Sequence, residues 1–176
     1  MNQEILIRPA GADDVEAIAR VHIQSWHETY PGIMPERKIA SLNMDGCRRN
    51  WENALAAGSH VLVVIAGGEV VGFVSGGKNR KNEDCETGMG DSCEAELAAM
   101  YMLRAFHGRG IGRMMFDRFT DRMQREGYRS MVIWVAEKNP TVHFYERMGG
   151  EKVDRKILMV FDEPVPVIAY RWFLLD

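Results

Sequence analysis

The segment Phe106-His107-Gly108-Arg109-Gly110-Ile111-Gly112-Arg113 joins a strand-like run to a helix-like run. Glycines at alternate positions let a backbone turn tightly and approach a ligand without Cβ obstruction. The helix that follows aims its free N–H groups and positive dipole end back into the turn. Such a segment is either a tight connection or a phosphate cradle. Two specific cradles are disfavoured. No Gly-Lys-Ser/Thr ending marks a nucleoside-triphosphate loop, and the spacing is not the G-x-G-x-x-G of a dinucleotide fold. Arg109 and Arg113 sit at the helix start, where positive charge opposes the dipole by about 0.3–1 kcal/mol per exposed residue. A bound anion reverses that sign; alternatively, both side chains point into water.

The flanking patterns alternate between strand and helix. Leu6 to Pro9 reads as a first strand, and Ala12-Asp13-Asp14 as a cap for a helix that breaks at Pro31-Gly32. Pro35 to about Ala57 reads as helical, with a break near Asn43–Gly46. His60–Ala66, the pair Gly67-Gly68 and Glu69–Ser75 form a hairpin pattern. Asn79 to Asp91 reads as a loop and Cys93 to Leu103 as a long strand. Ile111, Met115, Phe119 and Met123 form one helical face that Gly127 ends. Ser130 to Ala136 is a buried-type strand. Asn139-Pro140 starts a helix with proline in its first position, and Gly149-Gly150 stops it. Lys152–Phe161 and Val167–Leu174 close the chain as strands. With no repeat and no linker-like composition shift, residues 1–176 read as one mixed α/β domain.

Composition narrows the function classes. The 22 Lys and Arg against 25 Asp and Glu give a formal charge of −3, which argues against a nucleic-acid footprint. Ile5-Leu6-Ile7 is followed at once by Arg8-Pro9, so no signal pattern is visible, and no apolar run reaches membrane-spanning length. The expectation is a cytoplasmic protein with no membrane partner. Cys47, Cys85 and Cys93 lack metal spacing and read as reduced thiols. His22 and His27 are five apart and His27-Glu28 lacks a second histidine, so no metal site is expected.

Glu96-Leu97-Ala98-Ala99-Met100-Tyr101-Met102-Leu103 followed by His107-Gly108-Arg109-Gly110-Ile111-Gly112 resembles the cofactor core of the GNAT superfamily of acetyl-CoA-dependent N-acetyltransferases. Asn139 and the run Phe144-Tyr145-Glu146-Arg147-Met148-Gly149 resemble its second signature, and Ser25-Trp26, Tyr30 and Gly32 its first-helix segment. Three positions depart from the pattern: His107 replaces Arg or Gln, Val142 a small Ala, and Gly150 a frequent aromatic. The resemblance implies a GNAT-like α/β fold. Its mostly antiparallel mixed sheet has about seven strands, with helices on both faces and two strands splayed at the cofactor site. It implies acetyl-CoA as co-substrate and direct acetyl transfer to a primary amine of a small molecule or peptide. A non-catalytic acyl-CoA-binding sensor of the same fold is the alternative.

The resemblance also assigns roles. The acetyl and pantetheine arm would lie on backbone near Met100, Tyr101, Met102 and Leu103, with Asn139 and Tyr145 beside it. The pyrophosphate would lie on the amides from His107 and Gly108 through Arg109, Gly110, Ile111 and Gly112 to Arg113. A primary amine of pKa about 10.4 is largely protonated at neutral pH, so the reaction needs a base. Glu94 and Glu96 alternate along the strand on one side and are the nearest carboxylates; the other reading is a solvated face. Tyr145 matches the family's general acid for the thiolate and otherwise reads as a core tyrosine. Trp26 and Tyr30 share a helix face that would line the acceptor side, or simply pack in the core. The acidic stretch Glu83-Asp84-Cys85-Glu86 reads as a solvated loop. A homodimer is what the resemblance implies, and the apolar run Trp172-Phe173-Leu174-Leu175 supports it.

Overall fold

The computed structural model describes residues 4–80 and 92–174. Its strands are β1 (Ile5–Pro9), β2 (His60–Ala66), β3 (Glu69–Lys78), β4 (Ala95–Met102), β5 (Ser130–Ala136), β6 (Glu151–Val160) and β7 (Glu163–Phe173). Its helices are α1 (Val15–Thr29), α2 (Glu36–Ala40), α3 (Met44–Ala56), α4 (Ile111–Arg125) and α5 (Val142–Arg147). The strands form one sheet in the order β1-β2-β3-β4-β5-β7-β6. Every neighbouring pair is antiparallel except β4 with β5. The acidic stretch Glu83-Asp84-Cys85-Glu86 lies outside the described residues.

Local chemistry explains the boundaries. Gly67 and Gly68 take φ of 59° and 84°, the left-handed pair that a two-residue hairpin between β2 and β3 requires. Asn43 caps α3 by accepting from the Gly46 amide at 2.9 Å, which is the break expected inside 35–57. Asp14 is buried at the entry to α1, where its carboxylate takes the Gly11 amide at 2.8 Å and the Arg8 guanidinium at 2.7 Å. Both hydrogen bonds hold that carboxyl below the usual carboxylate range, the Arg8 contact more than the Gly11 amide.

The sheet is covered on both faces. Phe73 and Gly76 lie three apart on β3 and so face opposite sides. Phe73 meets His22 of α1, whereas a Cβ on Gly76 would run into Phe119 of α4. Ile18, Phe73, Leu97, Ile111, Met115, Phe119, Met123 and Met131 are fully buried between these layers.

Two expectations need correction. α5 begins at Val142, not at Pro140, because the Asn139 side chain accepts from the Thr141 amide and holds Pro140-Thr141 in a turn before the helix. β7 begins at Glu163, four residues before Val167, and carries Pro164 and Pro166. Those prolines are tolerated because only β6 pairs with β7 there; pairing to β5 starts at Val167. The first two residues of the C-terminal apolar run differ in burial. Trp172 is buried against Phe116 and Tyr145, while Phe173 faces outward under the Arg171 guanidinium.

Candidate active site

The parallel ladder between β4 and β5 contains only two residue pairs, Ala95 with Met131 and Glu96 with Val132. Beyond it the strands part. The cause is visible on the other edge of β4. Ser75 pairs with Ala99 and Gly76 with Leu97, so Ala98 is an extra residue in a β-bulge. A bulge bends its strand and steepens its twist. Gly76 permits it: a Cβ there would stand 2.0 Å from the Glu96 carbonyl oxygen. The backbone from Ala98 to Met102 therefore presents its β5-side edge to a cleft of about 600 Å³.

One end of that cleft is the glycine turn. Gly108 and Gly110 take φ of 74° and 76°, which a side chain would strain. Gly110 is the N-cap of α4 and no side chain caps the helix, so its first amides point at the cleft unpaired by protein. His107 ties the turn to β4 through a 2.9 Å hydrogen bond between Nε2 and the Met102 carbonyl. Gly108, Gly110, Gly112, Arg113 and Arg147 line this end, which is positive in character. Arg104 fastens the same region to α1, its amide donating to Glu28 Oε2 at 2.8 Å.

The other end is aromatic. Trp26, Tyr30 and Tyr101 line it together with Ser25 and Met34. The Trp26 and Tyr30 rings are 4.4 Å apart, and the Tyr30 and Tyr101 hydroxyls 3.3 Å apart. His22 stacks on Tyr101 at 5.5 Å and accepts the Trp51 indole proton on Nδ1 at 3.2 Å. Burial first, then the Lys38 ammonium, push His22 down to about 4, so it is a neutral ring at physiological pH. Burial raises both phenols, most of all Tyr101.

Tyr145 stands between the two ends. It lies on α5 and is 4 % exposed. Burial raises its pKa well above the ordinary value, with a smaller contribution from Tyr30. It lines the cleft with Asn139, and no described protein group takes its hydroxyl in a hydrogen bond. α5 ends in a Schellman turn: Gly149 donates to Glu146 and Gly150 to Tyr145. A Cβ on Gly150 would meet Trp172 at 2.6 Å. The indole of β7 thus fills the space beside Gly150, where an aromatic had been the expected residue.

The cleft brings together Met100, Tyr101, Met102, His107, Gly108, Gly110, Gly112, Arg113, Asn139, Tyr145, Trp26 and Tyr30, but not the remaining candidates. Ile111 is buried in the core and Leu103 spends its amide on the Val71 carbonyl. Arg109 folds back onto the Phe106 ring and the Ala105 carbonyl. Glu96 is ion-paired with Arg80 at 3.1 Å, two residues up the strand from cleft-lining Ala98. Glu94 precedes β4, so strand alternation does not govern it, and its carboxylate holds the Arg129 amide at 2.6 Å. Sequence reasoning passed over Ser25, Met34 and Trp134, and valued Tyr101 for its backbone alone. The adjacency of Ser25 to Trp26 on α1 was the one available signal.

The acetyltransferase (GNAT) family model matches residues 17–150, and the chain belongs to that family. It is 32 % identical over 149 residues to an uncharacterized N-acetyltransferase, YuaI, of Bacillus subtilis (strain 168), covering 85 % of this chain and 82 % of that protein. Among solved structures, an N-acetyltransferase from Staphylococcus aureus Mu50 superimposes with a TM-score of 0.77 at 18 % identity over 98 % of this chain and 99 % of the other. The PaiA N-acetyltransferase of Thermoplasma acidophilum, in complex with coenzyme A, does so at 0.68 and 18 % over 96 % and 99 %. The chain is an acetyltransferase of this fold. No described helix is long and apolar enough to cross a membrane.

Proposed function

We propose that the cleft binds acetyl-CoA and that the protein transfers its acetyl group directly to a primary amine of a small molecule or peptide within a ternary complex. The observation that carries this is the parting of β4 and β5, which puts a free strand edge, the uncapped start of α4 and the Tyr145 phenol in one cavity. The amides from Gly110 to Arg113, with Arg147, suit a pyrophosphate. The open edge of β4 suits the pantetheine arm. When bound, the thioester supplies an acyl carbon that an amine can attack.

The protein then handles two protons. The amine must lose one before attack, and Glu96 is the β4 carboxylate nearest along the strand to cleft-lining Ala98. Its Arg80 pair and its offset from Ala98 mean that it acts through water. Glu94 is a structural anchor for β5. As the C–N bond forms and the C–S bond breaks, Tyr145 would give its proton to the departing thiolate, and the second proton shed by the acylated nitrogen would return to the resulting phenolate. A phenol raised by burial stays protonated and ready for that step. Cys93 is buried away from the cleft, its thiol raised by burial, so it does not serve as a covalent relay.

Free Cys47 and Cys93 fit a reducing, cytoplasmic compartment. Exposed Ile157, Met159 and Phe161 on and beside edge strand β6 fit a homodimer. Kinetics of Glu96→Gln test the assignment. The variant should keep its affinity for acetyl-CoA while kcat falls about 10²-fold, with the loss shrinking as pH rises and the amine deprotonates itself. A pH-independent loss, or none, would remove Glu96 from the mechanism.

A further inference from the structure

The acceptor end of the cleft contains two polar atoms that the protein leaves unpaired. Ser25 is 2 % exposed, and its Oγ has no partner, not even the carbonyl one turn back that a helical serine often uses. Trp26 Nε1 is likewise buried and unpaired; it lies near the Tyr101 hydroxyl without hydrogen-bond geometry. Buried donors are rarely left unmet, and two on adjacent residues lining one cavity ask for an oxygen acceptor.

Charge points the same way. No Asp or Glu lines the cleft among the described residues. The aromatic faces that would cage a cation are already engaged by the protein's own ammonium groups. Lys38 Nζ lies 5.9 Å from the centre of the Trp26 ring, and Lys156 Nζ 4.0 Å from that of Trp134. The Lys38 field also reaches inward, since after burial it is the second cause of the depressed His22. A polyamine or a lysine in a basic peptide would bring more positive charge to a region with no described carboxylate.

Building on the proposed acetyl transfer, we infer that the acceptor is a primary amine carrying a carboxylate, an amino-acid-class substrate. Its carboxylate would meet Ser25 Oγ and Trp26 Nε1 once those side chains turn into the cleft, with Lys38 near the indole. Both donors lie at one end of the cavity and Tyr145 at its middle, so the amine extends toward the thioester while the carboxylate is held away from it.

The test is thiol release from acetyl-CoA with matched amines: L-methionine, L-glutamine and L-phenylalanine, the α-carboxamide and the decarboxylated amine of each, spermidine and a lysine-containing peptide. At least one free amino acid should exceed both of its own analogues in kcat/KM by about 30-fold or more, as loss of a charged hydrogen-bond partner implies. Ser25→Ala and Trp26→Phe, which keep bulk and ring, should each lower kcat/KM by about 10-fold for the amino acid and by clearly less for its decarboxylated amine, which brings no oxygen to either donor. Amides, decarboxylated amines, spermidine or the peptide reacting as well as the amino acids would overturn the inference and leave the transferase reading intact. Calorimetric binding of acetyl-CoA with no amine in the panel acetylated would sink both.

Discussion

The Tyr30 and Tyr101 hydroxyls meet at 3.3 Å, joining the end of α1 to the splayed part of β4 across the aromatic end of the cleft. One neutral hydrogen bond of this kind is worth about 1 kcal/mol. Tyr30→Phe should therefore lower the melting temperature by about 2–4 °C. It should also raise the acceptor KM several-fold while leaving the acetyl-CoA KM alone. Steady-state kinetics with each substrate varied in turn check this, and an acetyl-CoA KM that moved instead would put Tyr30 at the wrong end of the cleft.

Tyr145 is buried and raised, so it holds its proton through the alkaline range. The turnover rate should go on rising with pH to about pH 10 as the amine deprotonates, with no descending limb from this phenol. Tyr145→Phe should cut kcat by about 10²–10⁴-fold while calorimetric affinity for acetyl-CoA changes little. Undiminished turnover in that variant would assign the acid elsewhere.

His22 gives the fold a pH dependence of known sign. Its folded pKa, about 4, lies below its unfolded value of 6.5. Between those values the unfolded chain binds the extra proton, so stability is full above the unfolded pKa and is lost as pH falls toward 4. The loss is roughly 3 kcal/mol once both values are passed. Protonation also removes the Nδ1 lone pair that accepts from Trp51. Urea unfolding at several pH values should show this slope in the native protein and a flatter one in His22→Gln. Equal slopes would mean that His22 is not held neutral by its surroundings.

Gly76 is where the bulge in β4 is allowed. Gly76→Ala would press a methyl group onto the Glu96 carbonyl and the Phe119 ring. The expected cost is about 3 kcal/mol, the upper part of the range for overpacking. Because relief requires β4 to shift, acetyl-CoA affinity should fall with stability. A stable variant with unaltered binding would show that the splay does not depend on this close approach.

The sequence carried the parts of this fold that local chemistry determines. The Gly67-Gly68 hairpin, the amphipathic face of α4, the Asn43 break and the glycine turn before α4 each follow from a few adjacent residues. What required three dimensions was set by register. Ala98 looks like any small strand residue, and only its missing partner on β3 reveals the bulge that opens the cleft. Glu94 was placed beside Glu96 by an alternation rule that fails one residue before the strand begins. Pro164 and Pro166 hid the start of β7, since nothing local says that β5 ends opposite Val167. The orphan donors of Ser25 and Trp26 were invisible for the same reason: a missing partner is a property of the packed molecule.

Titration calorimetry of the native protein beside Gly110→Ala tests most directly whether the splayed cleft and its glycine turn bind acetyl-CoA. Gly110 holds a left-handed φ that alanine adopts at a cost of about 1–2 kcal/mol, and it opens the helix whose amides face the cleft. The predicted result is saturable binding of one acetyl-CoA per chain to the native protein, weakened about 10-fold or more in a folded Gly110→Ala variant. Binding of equal strength in both proteins, or no binding to the native protein at millimolar acetyl-CoA, would contradict it.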